Sequence, residues 1–150
     1  MQLKLLKQEH IAIMRNPWMD WVLQGTKTIE SRWTVNNKSP FETIEAGEKM
    51  YFKPTGKPVV AVSTVKAVHF FLRPRDEAAL LEYLKANWSK LGFESEKAAL
   101  AHPATVPEKV YVSMIEFCDL QTVDAFEINK DGFGALTGWI SLASVERIRK

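Results

Sequence analysis

Cysteine is nearly missing from this sequence. Cys118 stands alone among 150 residues, so no disulfide can form within the chain and no cysteine-based zinc site can be built. Long hydrophobic runs are missing too: no apolar stretch approaches the roughly eighteen residues that a membrane-crossing helix needs. The opening "MQLKLLKQEH" scatters charge along its length and lacks the apolar core of a secretion signal, so a cytoplasmic chain with no membrane association is expected. The three histidines, His10, His69 and His102, do not fall at metal-ligand spacing, and neither a metal nor another cofactor is expected. A G-x-x-x-x-G-K-[ST] phosphate loop is absent, which removes the nucleotide-triphosphatase class. Nor is there an internal repeat, a low-complexity segment or a linker, so residues 1–150 are expected to form one domain.

What remains is an ordinary globular composition, 46% apolar and 25% charged, with enough chain to bury a core unaided. The net charge of +2 hides an uneven distribution. Residues 1–75 carry twelve Lys and Arg against six Asp and Glu, whereas residues 76–150 carry eight against twelve. A basic first half suits a phosphate-bearing partner. Chance segregation that folding mixes over the surface is the equal alternative.

Along the chain, "HIAIMR" alternates as a strand does. "NPWMDWVLQG" reads as a short helix, with Asn16 as cap, Pro17 at the first position and Gly25 as the stop. The spacing of Trp18, Trp21 and Val22 places all three on one buried face, and Trp88 is read as core in the same way. "KTIESRWTV" is a strand, "NNKSPFETIEAGE" a loop with at most one helical turn, and "KMYFKPTGKPVVAVSTVKAVHFF" a strand, a turn and a long strand. "RPRDEAALLEYLKANWSKLGF" is the clearest helix, with acidic residues in its first turn and a stripe of Leu80, Leu81, Leu84, Trp88 and Leu91. "SEKAALAHP" reads as a short helix and "KVYVSMIEFCDLQTV" as a strand, with a further strand or turn after Cys118. "GWISLASVERIRK" starts extended and ends in a helical turn. Strands and helices do not alternate, so the prediction is an α+β fold with a mixed or antiparallel sheet curled into a barrel.

The stretch "GTKTIESRW", Gly25–Trp33, concentrates Lys27, Glu30 and Arg32 beside a tryptophan. Its G-x-K-x-x-E-x-R pattern resembles the signature of the ASCH domain (activating signal cointegrator homology), a group within the PUA-like superfamily. The likeness extends over "HIAIMRNPWMDWVLQGTKTIESRW", "AGEKMYFKPTGKPVVAVSTVKAV" and "YVSMIEFCDLQTVDAFEINKDGFGALTGWISL", three blocks in the family's order; residues 73–105 are the least distinctive. It implies a barrel of five or six strands, flanked by one main and two or three short helices, with a cleft between them. It also implies an RNA, nucleic-acid or modified-nucleotide ligand in that cleft. A second implication is catalysis: one branch hydrolyses the amide of N4-acetylcytidine, and some members act as ribonucleases. Lys27 matches the lysine of the amidohydrolase branch, but Glu30 occupies the place of its threonine nucleophile. If this chain is an enzyme, Lys27 and Glu30 are its candidate catalytic residues.

The residues themselves support two readings. Glu30 and Arg32 share one strand face, and Lys27, from the turn, can swing towards Glu30. In one reading two cations bracket an ionised carboxylate in a cleft and offer donors to a phosphate or carbonyl. In the other the same charges are a structural ion-pair network. Trp33 and Trp139 are candidates for base stacking, typically about 1–3 kcal/mol per base. "NKDGFGALTGW" reads either as a loop over the cleft or as a plain turn, with Asn129, Lys130 and Phe133 as candidate ligand contacts. Lys53 is a candidate for a basic rim. The three histidines are expected in core or surface roles, and Cys118 as an inert buried thiol. Oligomeric state and the choice between RNA and DNA stay open.

Overall fold

A computed structural model describes residues 7–134 and 136–150. Most of the opening segment, residues 1–6, and one position of the glycine-rich loop, Ala135, lie outside the described residues. Six strands form one sheet: β1 (Glu9–Met14), β2 (Ile29–Thr34), β3 (Lys49–Pro54), β4 (Val59–Leu72), β5 (Tyr111–Phe126) and β6 (Trp139–Leu142). The helices are α1 (Trp18–Gln24), α2 (Glu77–Leu91) and α3 (Glu96–Thr105), and a 3-10 turn covers Val145–Arg147. The strand order is β2-β5-β4-β3-β1-β6. β1 and β3 run parallel and every other pair is antiparallel. This is the mixed α+β sheet expected, with β2 and β6 as its two free edges.

Strand β5 divides the interior. Ile115 and Phe117 on one face join Ala12, Met14, Met50, Phe52, Ala61 and Val65, with Met19 and Val22 of α1 set against them. Val112 and Met114 on the other face pack with Leu80, Leu84 and Leu91 of α2 and Ala99 of α3. The period of two along the strand separates these sets. Burying each of those leucines contributes about 1.5–3 kcal/mol. Register carries the same division into β2. Ser31 lies opposite Met114 and Trp33 opposite Val112, on the helix side, while Glu30 lies opposite Ile115 and Arg32 opposite Ser113. Glu30 and Arg32 therefore turn towards the α1 side.

Several local expectations need correction. Helix α1 starts one residue later than its Asn-Pro signal suggested. Pro17 is the cap, and Asn16 contributes by accepting from the Asp20 amide at 3.2 Å. Its buried face consists of Met19 and Val22, and Trp18 is 45% exposed rather than core. Trp18 opens the helix and lies beside Gly92, just after α2. The loop "NNKSPFETIEAGE" contains the single helical turn expected: the Ile44 amide donates to the Pro40 carbonyl at 3.3 Å. β5 continues past Cys118 without a break, through Asp119 at φ 54°. Cys118 is only half-buried. Desolvation, and then the neighbouring Asp119 carboxylate, push its thiol above the usual range, which keeps it protonated and inert.

Candidate functional site

Gly25 ends α1 in the left-handed conformation, φ 82°, and its amide caps the helix by donating to Val22. The chain then turns sharply, so that Lys27 and β2 follow directly beneath the C-terminus of α2. The three charged heads of the signature do converge. Lys27 Nζ lies 3.4 Å from Glu30 Oε1, and Arg32 NH2 lies 2.9 Å from Glu30 Oε2.

Lys27 is fully engaged. Its ammonium donates to the Ile29 and Leu91 carbonyls, each at 2.7 Å, and faces Glu30 with its third hydrogen. Leu91 is the last residue of α2, so Lys27 satisfies one of the carbonyls that a helix C-terminus leaves without a partner. The expectation that Lys27 offers a cation directly to a ligand is corrected accordingly. An ammonium has three donors, and all three are directed inward.

Arg32 bridges the opening between the two edges of the sheet. From edge strand β2 it donates through NH1 to the Gly138 carbonyl at 2.8 Å, just before β6, and through NH2 to the Ile13 carbonyl of β1 at 3.2 Å. Its guanidinium lies over the Trp139 ring, 5.2 Å from the centroid. Gly138 suits this approach, because a Cβ there would stand 3.2 Å from Arg32 NH1. Glu30 is held from three sides. Oε1 accepts from the Ser31 amide at 3.0 Å and faces Lys27, while Oε2, among the described residues, accepts from Arg32 alone. Burial works to raise the Glu30 carboxyl, but the charges of Lys27 and Arg32 outweigh it and hold the group below the usual carboxylate range. Burial also draws the Lys27 ammonium below its ordinary value, against the pull of Glu30. Each carboxylate oxygen can accept two hydrogen bonds, so Oε2 retains room for one further donor.

These residues floor a cleft of about 480 Å³, within the usual 300–1,000 Å³ range of small-molecule sites. Its walls are aromatic: Trp18, Trp33, Phe93 and His102, with Arg15 and Lys109 adding positive charge. Arg73 covers one face of Trp33, 5.5 Å from its centroid, and His102 meets it edge-on at 4.8 Å. The His102 ring nitrogens have no hydrogen-bond partner among the described residues. Burial, then the Lys109 and Arg73 charges, lower the His102 pKa from its ordinary 6.5, so the imidazole is neutral at pH 7.

Of the residues the sequence offered as ligand contacts, Lys27, Glu30, Arg32 and Trp33 line this cleft, and Lys53, Asn129, Lys130, Phe133 and Trp139 do not. Trp139 is corrected as a platform within it: Arg32 lies over its ring, and its indole N–H donates to Ser141 at 3.0 Å. Lys53 is not a solvated rim lysine. It is 5% exposed on β3, and burial, reinforced by the Lys130 charge, lowers its pKa. Asn129 and Phe133 lie exposed on the loop before β6, where the Asn129 side chain accepts from the Asp131 amide at 2.9 Å. Neither they nor Lys130 reach the cleft, and the loop's contribution is the Gly138 carbonyl.

Sequence reasoning missed Trp18, Phe93, His102, Arg15 and Lys109. Only Trp18 carried a usable signal: the first position of a seven-residue helix is often beyond the packed face. The others come from separate elements, and nothing in their spacing unites them. Among the described residues no cluster of His, Cys, Asp and Glu is placed to hold a metal ion, and no helix is long and apolar enough to cross a membrane.

The mixed six-stranded sheet with its three helices is an α+β fold of the kind seen in solved ASCH structures. Solved structures that the chain resembles include those of the ASCH protein from Zymomonas mobilis. That protein superposes with a TM-score of 0.62 at 14% identity, over 93% of this chain and 90% of the other. A serine-to-alanine variant of it gives 0.61 at 15% identity, over 93% and 91%. A tyrosine-to-phenylalanine variant gives 0.60 at 15% identity, over 93% of both chains. At such identity the likeness is one of fold. No protein-family profile and no curated protein matches the chain.

Proposed function

We propose that this protein binds single-stranded RNA, or a nucleotide of the same chemistry, by taking a base into the cleft. The observation that carries the reading is Glu30, an ionised carboxylate with an unfilled acceptor position on Oε2, fixed in the floor of an aromatic-walled hollow. A carboxylate so placed accepts from the amino group of a base, and the surrounding rings supply faces for stacking. Arg15 and Lys109, on the same cleft, supply positive charge for the attached phosphate. The likeness in fold to an ASCH protein supports the same class of ligand.

Hydrolysis is the less favoured alternative. Glu30 holds the place of the amidohydrolase threonine, and Lys27, whose hydrogens all point to other acceptors, is poorly set to act as a base. Titrating the protein's tryptophan fluorescence with cytidine and uridine monophosphates tests the proposal. A hydrogen bond to a charged group contributes about 1.5–3 kcal/mol, so the cytidine nucleotide is expected to bind at least about tenfold more tightly. Equal affinity for the two would refute the role given to Glu30. Absence of binding to any nucleotide or short RNA would refute the function.

A further inference from the structure

A second hollow, of about 280 Å³, opens beside the first. The two share Lys27, Gly92 and Phe93 as a common wall. Gly92 follows α2 in the left-handed conformation, φ 90°, and its α-carbon is wedged against α1. A Cβ there would stand 3.2 Å from Trp21 and 3.4 Å from Trp18. The partition between the hollows is therefore a bare glycine backbone, the Lys27 side chain and one phenylalanine ring.

Helix α1 serves both sides of that partition. Trp18 lines only the first hollow and Trp21 only the second, so one helix presents an indole to each. Residues three apart on a helix lie roughly 5–6 Å apart at Cβ. That is wider than the 3.4 Å between stacked bases of a duplex strand, and it suits a strand whose bases have been parted. The polar groups of the second hollow are the Thr26 and Ser89 hydroxyls and the Glu94 carboxylate. Its one cation, Lys27, has every hydrogen directed elsewhere. Such a lining suits the polar edge of a base and repels a phosphate.

We infer that the second hollow is a subsite for the base adjacent to the one held in the cleft, so that the ligand is a single strand of at least two nucleotides. The inference rests on the proposed nucleotide-binding function. Its test compares a cytidine mononucleotide with a cytidine dinucleotide on the wild-type chain and on Ser89→Tyr. Ser89 is exposed on α2, so the added ring occupies the hollow without entering the core. The dinucleotide should bind the wild-type chain at least about tenfold more tightly than the mononucleotide. In Ser89→Tyr its affinity should fall to that of the mononucleotide, which should itself be unchanged. Thr26→Tyr, at another exposed position on the same hollow, should repeat the result and covers the case in which the first variant misfolds. If the mononucleotide binds and the dinucleotide gains nothing, or if both variants weaken the two ligands equally, the second subsite is refuted and the cleft reading stands. If neither ligand binds, both readings fall.

Discussion

Replacing Glu30 by glutamine tests the role of the signature most directly. In the native protein every hydrogen bond and ion pair to this side chain from the described residues comes from a donor: the Ser31 amide and Lys27 at Oε1, and Arg32 at Oε2. Glutamine has one oxygen and one NH2 group, so either orientation sets donor against donor on one side. It also leaves two cations without their counter-charge, one with a side chain 3% exposed and the other 19% exposed. Breaking a buried pair by removing one partner is destabilising by about 3–5 kcal/mol. Water reaches part of Arg32 and softens the loss, so about 3 kcal/mol is expected, a large share of the roughly 5–15 kcal/mol that holds a domain folded. With a urea slope of about 2 kcal/mol per molar, the unfolding midpoint should drop by about 1.5 M with no change in slope. Because the native carboxyl titrates below its ordinary pKa, its stabilisation is complete above the ordinary value and disappears as pH falls through the lowered one. The gap between wild type and Glu30→Gln should therefore narrow in acid. Adding Lys27→Met should have a smaller effect in Glu30→Gln than in the wild type, since the charges are coupled. A loss below about 1 kcal/mol at neutral pH would refute this account of the network.

Two further predictions concern the walls of the cleft. Trp18→Ala should cost less unfolding stability than the roughly 3–5 kcal/mol of truncating a core tryptophan, because the side chain is 45% exposed. The same change should weaken nucleotide binding at least about fivefold, in line with the roughly 1–3 kcal/mol of a stacked base; an unaffected affinity would remove Trp18 from the site. His102, with its lowered pKa, is uncharged at pH 7 and would be charged more readily beside a bound phosphate, so binding takes up a proton. Affinity for a cytidine mononucleotide should rise as pH falls from neutral into the acid range, and His102→Gln should flatten that rise in a fluorescence titration. A wild-type affinity independent of pH from 5 to 8 would place the phosphate away from this ring.

The physical division between local and distant information runs through particular residues. Gly25 and the leucine stripe of α2 announce their roles locally, because a left-handed stop and a helical repeat depend on neighbours a few positions away. The signature's alternation on β2 likewise fixed Glu30 and Arg32 on one face, and strand geometry alone requires it. The Lys27 hydrogen bond to Leu91 was not legible, because it joins positions 64 residues apart through the docking of α2. The same holds for Arg32 and Gly138, 106 residues apart, which meet only because the sheet curls and brings its edge strands together. Local sequence determined the type of each element and which charges stand side by side. Tertiary packing decided which of those charges turn inward as structural ties and which aromatic rings close around the remaining carboxylate acceptor, because the partners of a buried polar group are set by whatever the fold brings against it.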